Sequence, residues 1–311
     1  MRIAVLGPGA IGGFLASVFW KAGYSVVCIA REETALLINA HGLDFQSRSF
    51  GSYVARPRAV EILDITPDVL FVATKGHGLE AAVQRIPPVI AANTVTIPLV
   101  NGIEHIEFLR ISIGAVVAAG VISIESVRES SNQIRHLSMH CDMQIASDRD
   151  VPQSQLRDFA QEWSKLGIKT IVGESEAAVL WGKLVRLNAI ACTTTASDMS
   201  IGTVLDHPKW RKVLVSCIRE ATNVAKADGV DIDATAVLAK IESLPRSLRT
   251  SMQRDLERGN ALEIDEIAGS ITRRARAHGL DCNEIVTVID AIHRRECDRN
   301  ESVKRSERCP A

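Results

Sequence analysis

Over the first 173 residues, short aliphatic runs alternate with amphipathic stretches. From Glu174 onward the strand-like runs stop, and a helical pattern continues nearly to the end. Alternation of strand and helix predicts a mostly parallel sheet wound on both faces, and an unbroken helical pattern predicts a separate all-α domain. A third observation is a glycine-rich turn, Gly7-Pro8-Gly9-Ala10-Ile11-Gly12-Gly13, between the first aliphatic run and the first amphipathic stretch. Together these give an α/β fold class. A Rossmann-type doubly wound sheet over 1–173 precedes an all-helical domain over 174–311, with about 298–311 expected as a disordered charged tail.

Bulk properties agree with two globular domains and narrow the partners. The 311 residues are too many for one typical domain, and 46% hydrophobic with 23% charged is enough to bury a sizeable core. A formal net charge of −1 argues against nucleic acid or an anionic membrane as the main partner. No apolar run reaches the roughly 18 residues needed to span a bilayer. Seven cysteines, an odd number without C-x-x-C spacing, suit free thiols in a reducing cytoplasm. No metal site is expected. His136 and His140 lie in a strand region, where a four-residue spacing makes no ligand face, and read as surface polar residues.

The first aliphatic run, Ile3-Ala4-Val5-Leu6, is strand-length. The glycine turn follows it, then Phe14 to Lys21 reads as a helix with one face on a sheet, and Tyr24 to Ala30 as a second strand. Strand, glycine turn, helix, strand is the context a G-x-G-x-x-G match requires. Gly7 permits the tight turn, Gly9 lets backbone approach a pyrophosphate, and Gly12 lets helix and strand pack closely. The amides of Ala10 and Ile11 open the helix and face the phosphates.

Arg31 stands directly after the second strand, where a carboxylate would hold a ribose 2′-hydroxyl. An arginine suits the 2′-phosphate of NADP, while an exposed arginine ending a strand is the competing reading. Glu32 and Glu33 open a helix through Asn39, where acids favour the positive dipole end. Residues 42–60 read as a hairpin region. Pro67 to Thr74 is another buried strand, and Lys75 after it is placed to reach a cofactor phosphate or a substrate. Leu79 to Ile86 reads as a helix stopped by Pro87-Pro88. Thr94 to Val100 is a further strand ending in Asn101-Gly102, either a plain turn or an amide beside a nicotinamide or ketone. Residues 115–127 and 133–146 read as a strand pair, Ser154 to Leu166 as an amphipathic helix, and Lys169 to Val172 as a short strand.

In the helical half, Glu176 to Ala191 is apolar on most sides, so Lys183 and Arg186 within it require an explanation. A lysine in a cleft can donate a proton to a carbonyl oxygen as hydride reaches its carbon. Helix geometry alone favours a stem lying on apolar surface with its ammonium in water. Further helices are expected over Pro208 to Asp228, Ala234 to Ser243, Glu263 to His278, and Asn283 to about Glu296. Thr250-Ser251 reads as a helix cap, and Glu263 as an acid opening the following helix.

These motifs, taken together along essentially the whole chain, resemble the ketopantoate reductase family (2-dehydropantoate 2-reductase). The glycine turn, Arg31, Lys75 and Asn101 fall on its cofactor-contacting positions. Trp181-Gly182-Lys183-Leu184 matches its W-x-K segment. Ser251-Met252-Gln253-Arg254-Asp255 with Glu263-Ile264-Asp265 and Gly269 matches its S-M-x-x-D…E-I-D signature. The resemblance implies NADPH as cofactor, contacted by Gly7, Gly9, Ala10, Ile11, Gly12, Arg31, Lys75, Asn101 and Glu263. It implies Lys183 and Glu263 as catalytic residues, with Ser251, Asn101 and Asn188 toward the substrate. The implied reaction is reduction of 2-dehydropantoate to pantoate in pantothenate biosynthesis, by a cytoplasmic enzyme acting on a small 2-oxo acid, and a homodimer is compatible with it. The chain departs from the family where asparagines are usual four and eight residues after the lysine. Leu187 and Ala191 stand there, with Asn188 one step off, which rotates a helical side chain by about 100°. The alternatives are a paralogue reducing another 2-oxo or 3-hydroxy acid, and a non-catalytic NADPH-sensing protein.

Overall fold

The computed structural model describes residues 1–308, and the chain divides into two units. The first comprises Met1–Val100 with Glu104–Leu180, the second Asn101–Ile103 with the chain from Trp181 onward. The break falls seven residues beyond the expected 173/174, because the first turn of the helix Glu176–Ser197 is tied to the first unit. Glu176 accepts two hydrogen bonds from Arg110, at 2.6 and 3.0 Å, and Val179 packs on Gly173. Asn101–Ile103 joins the second unit although it follows a strand of the first.

The first unit is built on a six-stranded parallel sheet in the order Arg58–Val60, Ser25–Ile29, Arg2–Leu6, Val69–Val72, Val95–Pro98, Val116–Val117. Its inner strands read as continuous aliphatic runs because helices cover both faces. Phe19, Phe71 and Trp163 meet in its core, with ring centroids 5.3 to 5.9 Å apart. The direction of strand addition reverses between Arg2–Leu6 and Val69–Val72, the point where ligands lodge in such sheets.

The hairpin region forms the strands Leu43–Ser47 and Gly51–Ala55, which leave the main sheet, while Arg58–Val60 returns to it. The expected strand pair of 115–127 and 133–146 is distributed over three sheets. Ala119–Ser123 pairs with Asp142–Ala146 beside Lys169–Val172, and Ser126–Ser130 pairs with Gln133–His136 beside the hairpin. The helix expected over 79–86 ends at Val83, and Pro88 begins a second short helix instead of only stopping the first. Proline at a first helical position forfeits no hydrogen bond.

His136 is buried, not a surface residue. Its ring lies 4.8 Å from that of Phe14, with Ser47 and Ser138 hydroxyls 2.9 Å from its two nitrogens. Burial lowers its pKa. Alternation along Gln133–His136 turns this residue inward with Ile134.

The second unit is helical, as expected: Ile201–Asp206, Pro208–Ala227, Ala234–Glu242, Ser251–Arg258, Ser270–Ala277 and Asn283–Arg308 follow the long helix. Val185, Ala189, Leu214, Ile218, Val224, Ile271 and Ile285 are among its buried aliphatics. Thr250 caps Ser251–Arg258 in a reciprocal capping box with Gln253. The last helix passes the expected end near Glu296, so positions 298–308 are helical where a disordered tail was expected. No glycine or proline interrupts 283–308, and charge alone does not end a helix. Positions 309–311 lie outside the described residues. The six described cysteines form no disulfide, and no helix among the described residues is long and apolar enough to cross a membrane.

Candidate active site

In the first unit the residues singled out from the sequence collect at one edge of the parallel sheet. Gly7, Arg31 and Lys75 each follow the carboxyl end of one of three adjacent strands. Gly7 has φ +82°, and a Cβ there would stand 2.8 Å from Thr74 Cγ2, so both backbone conformation and space demand glycine. At Gly12 a Cβ would lie 2.2 Å from the Gly7 carbonyl oxygen, which fixes the close approach of helix Ala10–Lys21 to the first strand.

Gly9 differs. Its φ is an ordinary −81°, and a Cβ built on it meets no protein atom within 4 Å. No crowding by the protein requires glycine there. The first amides of a helix have no intrahelical partner, and those of Ala10 and Ile11 open beside this gap. Arg31 is exposed at the N-cap of helix Glu32–His41. Lys75 is half-buried and precedes a short 3₁₀ turn.

In the second unit, three of the expected residues form one hydrogen-bonded chain. Lys183 Nζ donates to Asn101 Oδ1 at 3.0 Å, and Asn101 Nδ2 donates to Glu263 Oε2 at 3.2 Å. The two bonds use opposite ends of one amide, so they fix its orientation. Lys183 is half-buried and Glu263 buried. Burial lowers the Lys183 pKa, Glu263 opposes that, Arg186 adds to it, and the result is about 8. A lysine at that value is mostly protonated at neutral pH and close enough to it to transfer its proton.

Each member of the chain is held by its own element. Lys183 sits two turns into Glu176–Ser197, beside Trp181, whose Nε1 donates to Asp228 Oδ2 at 3.1 Å. Gly102, with φ +93°, would place a Cβ 2.5 Å from the Glu266 carbonyl oxygen, so the Asn101-Gly102 turn lies directly on that backbone. Glu263 stands two residues before a π-helical turn, Asp265–Gly269, braced by Arg273 Nη1 donating to Asp265 Oδ1 at 2.6 Å. Such turns are frequent at functional sites, and helical periodicity does not announce them.

Two further expectations fare differently. Ser251 is exposed in the first turn of its helix, capped by Thr250, and is not part of the hydrogen-bonded chain. Asn188 has no exposed surface, and Cys192 Sγ donates to its Oδ1 at 3.4 Å. Five residues along a helix turn a side chain about 140° from Lys183. Asn188 is therefore buried and turned away from Lys183. Arg186, known from the sequence only as a charge needing explanation, stands one turn after Lys183 and acts on it electrostatically.

Comparisons with known proteins bear on the family and the fold. The family description "Ketopantoate reductase PanE/ApbA" matches residues 3–148, and its C-terminal counterpart matches 177–296. An uncharacterized oxidoreductase, YkpB of Bacillus subtilis, is 23% identical over 96% of this chain and 100% of its own length. The 2-dehydropantoate 2-reductase of Halobacterium salinarum is 23% identical over 94% of this chain and 98% of its own. Among solved structures, D-mandelate dehydrogenase in its ternary structure with NADH and anilino(oxo)acetate shares the fold. Its TM-score is 0.87 at 21% identity, covering 96% of this chain and 100% of that one. With both halves matched in order, the chain belongs to the ketopantoate reductase PanE/ApbA family and is an oxidoreductase.

Proposed function

We propose that the protein reduces a small 2-oxo acid to the 2-hydroxy acid with NADPH, and that 2-dehydropantoate, giving pantoate, is the first substrate to test. The observation that carries this reading is the Lys183–Asn101–Glu263 chain, a proton donor poised near neutrality and held in a fixed direction.

The sheet edge fits a dinucleotide. The uncrowded Gly9 and the amides of Ala10 and Ile11 would hold its pyrophosphate, with Gly7 and Gly12 shaping the turn. Lys75 would reach a phosphate. Arg31 would pair with the 2′-phosphate of NADP, and the absence of a carboxylate at its position favours NADP over NAD. When bound, the nicotinamide supplies a hydride to the carbonyl carbon.

The chain's own residues manage the proton. Lys183 donates to the carbonyl oxygen and stabilises the charge gathering there. Asn101 holds the ammonium in line. Glu263 keeps the lysine protonated and, with Ser251, orients the substrate. A depressed lysine pKa is needed here because a lysine at its ordinary value gives up its proton reluctantly at neutral pH.

A second reading is favoured by Leu187 and Ala191, which replace the asparagines usual after the catalytic lysine: the 2-oxo acid is then not 2-dehydropantoate. A larger apolar substituent beside the carbonyl suits these side chains. Following NADPH and NADH oxidation over 2-dehydropantoate, 2-oxoisovalerate and phenylglyoxylate separates the two. Preference for 2-dehydropantoate with NADPH supports the first reading, preference for another acid supports the second, and no turnover with any acid defeats both.

A further inference from the structure

We propose that Arg186 binds a carboxylate of the substrate through its guanidinium, and so takes the place of the asparagines that this chain lacks. The inference rests on the reductase reading above and extends it to the residue that anchors the acid.

Arg186 is half-buried on the helix Glu176–Ser197, three residues after Lys183. Side chains at that spacing share a helix face, with Cβ atoms about 5–6 Å apart. No hydrogen bond or ion pair to Arg186 is present among the described residues. Every other half-buried arginine among the described residues has found an acceptor. Arg110 is held by Asp150 and Glu176, and Arg295 donates to Thr195 O and pairs with Asp198. A guanidinium withdrawn from water without an acceptor is costly, and the cost is removed when an anion arrives. Burial pushes its pKa down, as expected for a cation whose counter-ion comes from outside.

Position argues for substrate rather than a random anion. The guanidinium lies near enough to the Lys183 ammonium to disfavour its charge. Two cations one turn apart, on the face that carries the proton donor, suit an acid whose carbonyl oxygen meets the lysine while a carboxylate meets the arginine. Guanidinium and carboxylate pair by two parallel hydrogen bonds, a geometry that a lone amide cannot reproduce. Leu187 and Ala191 then need no polar replacement, because the anchor has moved by one position along the helix. The anchored group is either the carboxylate beside the carbonyl, common to all 2-oxo acids, or a second carboxylate at the far end of a dicarboxylic acid.

The test is a direct titration of the enzyme loaded with NADP⁺, which permits binding without turnover. Wild type and Arg186→Gln are titrated calorimetrically with oxamate, a monocarboxylate isostere of a 2-oxo acid, and with 2-oxoglutarate. The affinity of Arg186→Gln for at least one of them is expected to fall by about 30-fold or more, while NADP⁺ binding stays within about twofold. Loss with both ligands places the carboxylate beside the carbonyl on Arg186, and loss with 2-oxoglutarate alone places the distal one there. Arg186→Lys should recover only part of the affinity. A second readout uses pH: removing the neighbouring charge lets the Lys183 pKa rise, so the basic limb of kcat/KM moves to higher pH, which a merely structural role would not produce. Equal binding of both ligands by wild type and Arg186→Gln overturns the inference, as does a wild-type enzyme that binds neither. Failure of the wild type to reduce any 2-oxo acid, with oxamate binding still dependent on Arg186, removes the reductase reading and leaves the anion site.

Discussion

Two withdrawn cations, Arg110 and Lys183, stand in opposite electrostatic conditions. Arg110 meets Glu176 through two hydrogen bonds and Asp150 through a third at 2.7 Å. Burial acts against its charge, but those carboxylates outweigh it and hold its pKa above the ordinary value. Lys183 lies seven residues after Glu176 on the same helix, and burial prevails there, bringing its pKa down to about 8. A buried cation with three carboxylate contacts serves as a fastening. One that keeps a neutral amide and a single more distant carboxylate has its pKa drawn down toward neutrality, as a proton donor would need. The number of compensating anions, more than burial itself, separates structure from chemistry.

The contrast can be broken by exchanging what each cation lacks. Arg110→Ala removes the guanidinium from buried Glu176 and half-buried Asp150, and is expected to cost about 3 kcal/mol of stability. Denaturant unfolding would show it as a lowered midpoint. Lys183→Ala should leave folding and NADPH binding close to wild type while lowering kcat by about 10²–10⁴-fold. Unchanged turnover in that variant removes the lysine from the chemistry.

Glu263→Gln sharpens the comparison in the other direction. Without the carboxylate the Lys183 pKa falls further, so the basic limb of the kcat/KM profile should move to lower pH. The loss at pH 8 should reach about tenfold. The smallest effect is expected in the first unit: Arg31→Ala should raise KM for NADPH by about tenfold and leave KM for NADH nearly unchanged. Equal changes with both cofactors would show that Arg31 does not read the 2′-phosphate.

Much of the first unit was legible in the sequence because its signals are local. The aliphatic run, the glycine turn and the next helix occupy consecutive residues, and Arg31 and Lys75 take their meaning from the strands just before them. The helical half was legible as helices, yet its candidate site residues were not legible one by one. Asn101, Lys183 and Glu263 are separated by 82 and 80 positions, and each has an ordinary local reading as turn, snorkelling lysine or helix-opening acid. Only the combined motif pattern pointed to them.

What the sequence concealed depended on partners far along the chain. His136 looked exposed because its hydrogen-bond partner Ser47 and its aromatic neighbours Phe14 and Phe50 lie far from it in the sequence. The boundary moved from 173 to 180 because Glu176 is bonded to an arginine 66 positions earlier. The offset of Asn188 by one residue was legible in the sequence, but its complete burial was not, because the side chains that cover it come from the folded unit.

The most direct test of the account is the pH dependence of kcat/KM for the preferred 2-oxo acid, measured in wild type and Lys183→Ala. A general acid must be protonated, so activity should persist below pH 8, fall as pH rises through about 8, and show no such limb in the variant. A wild-type profile flat to pH 10, or a limb near 8 that survives in Lys183→Ala, would contradict the assignment of the proton to Lys183.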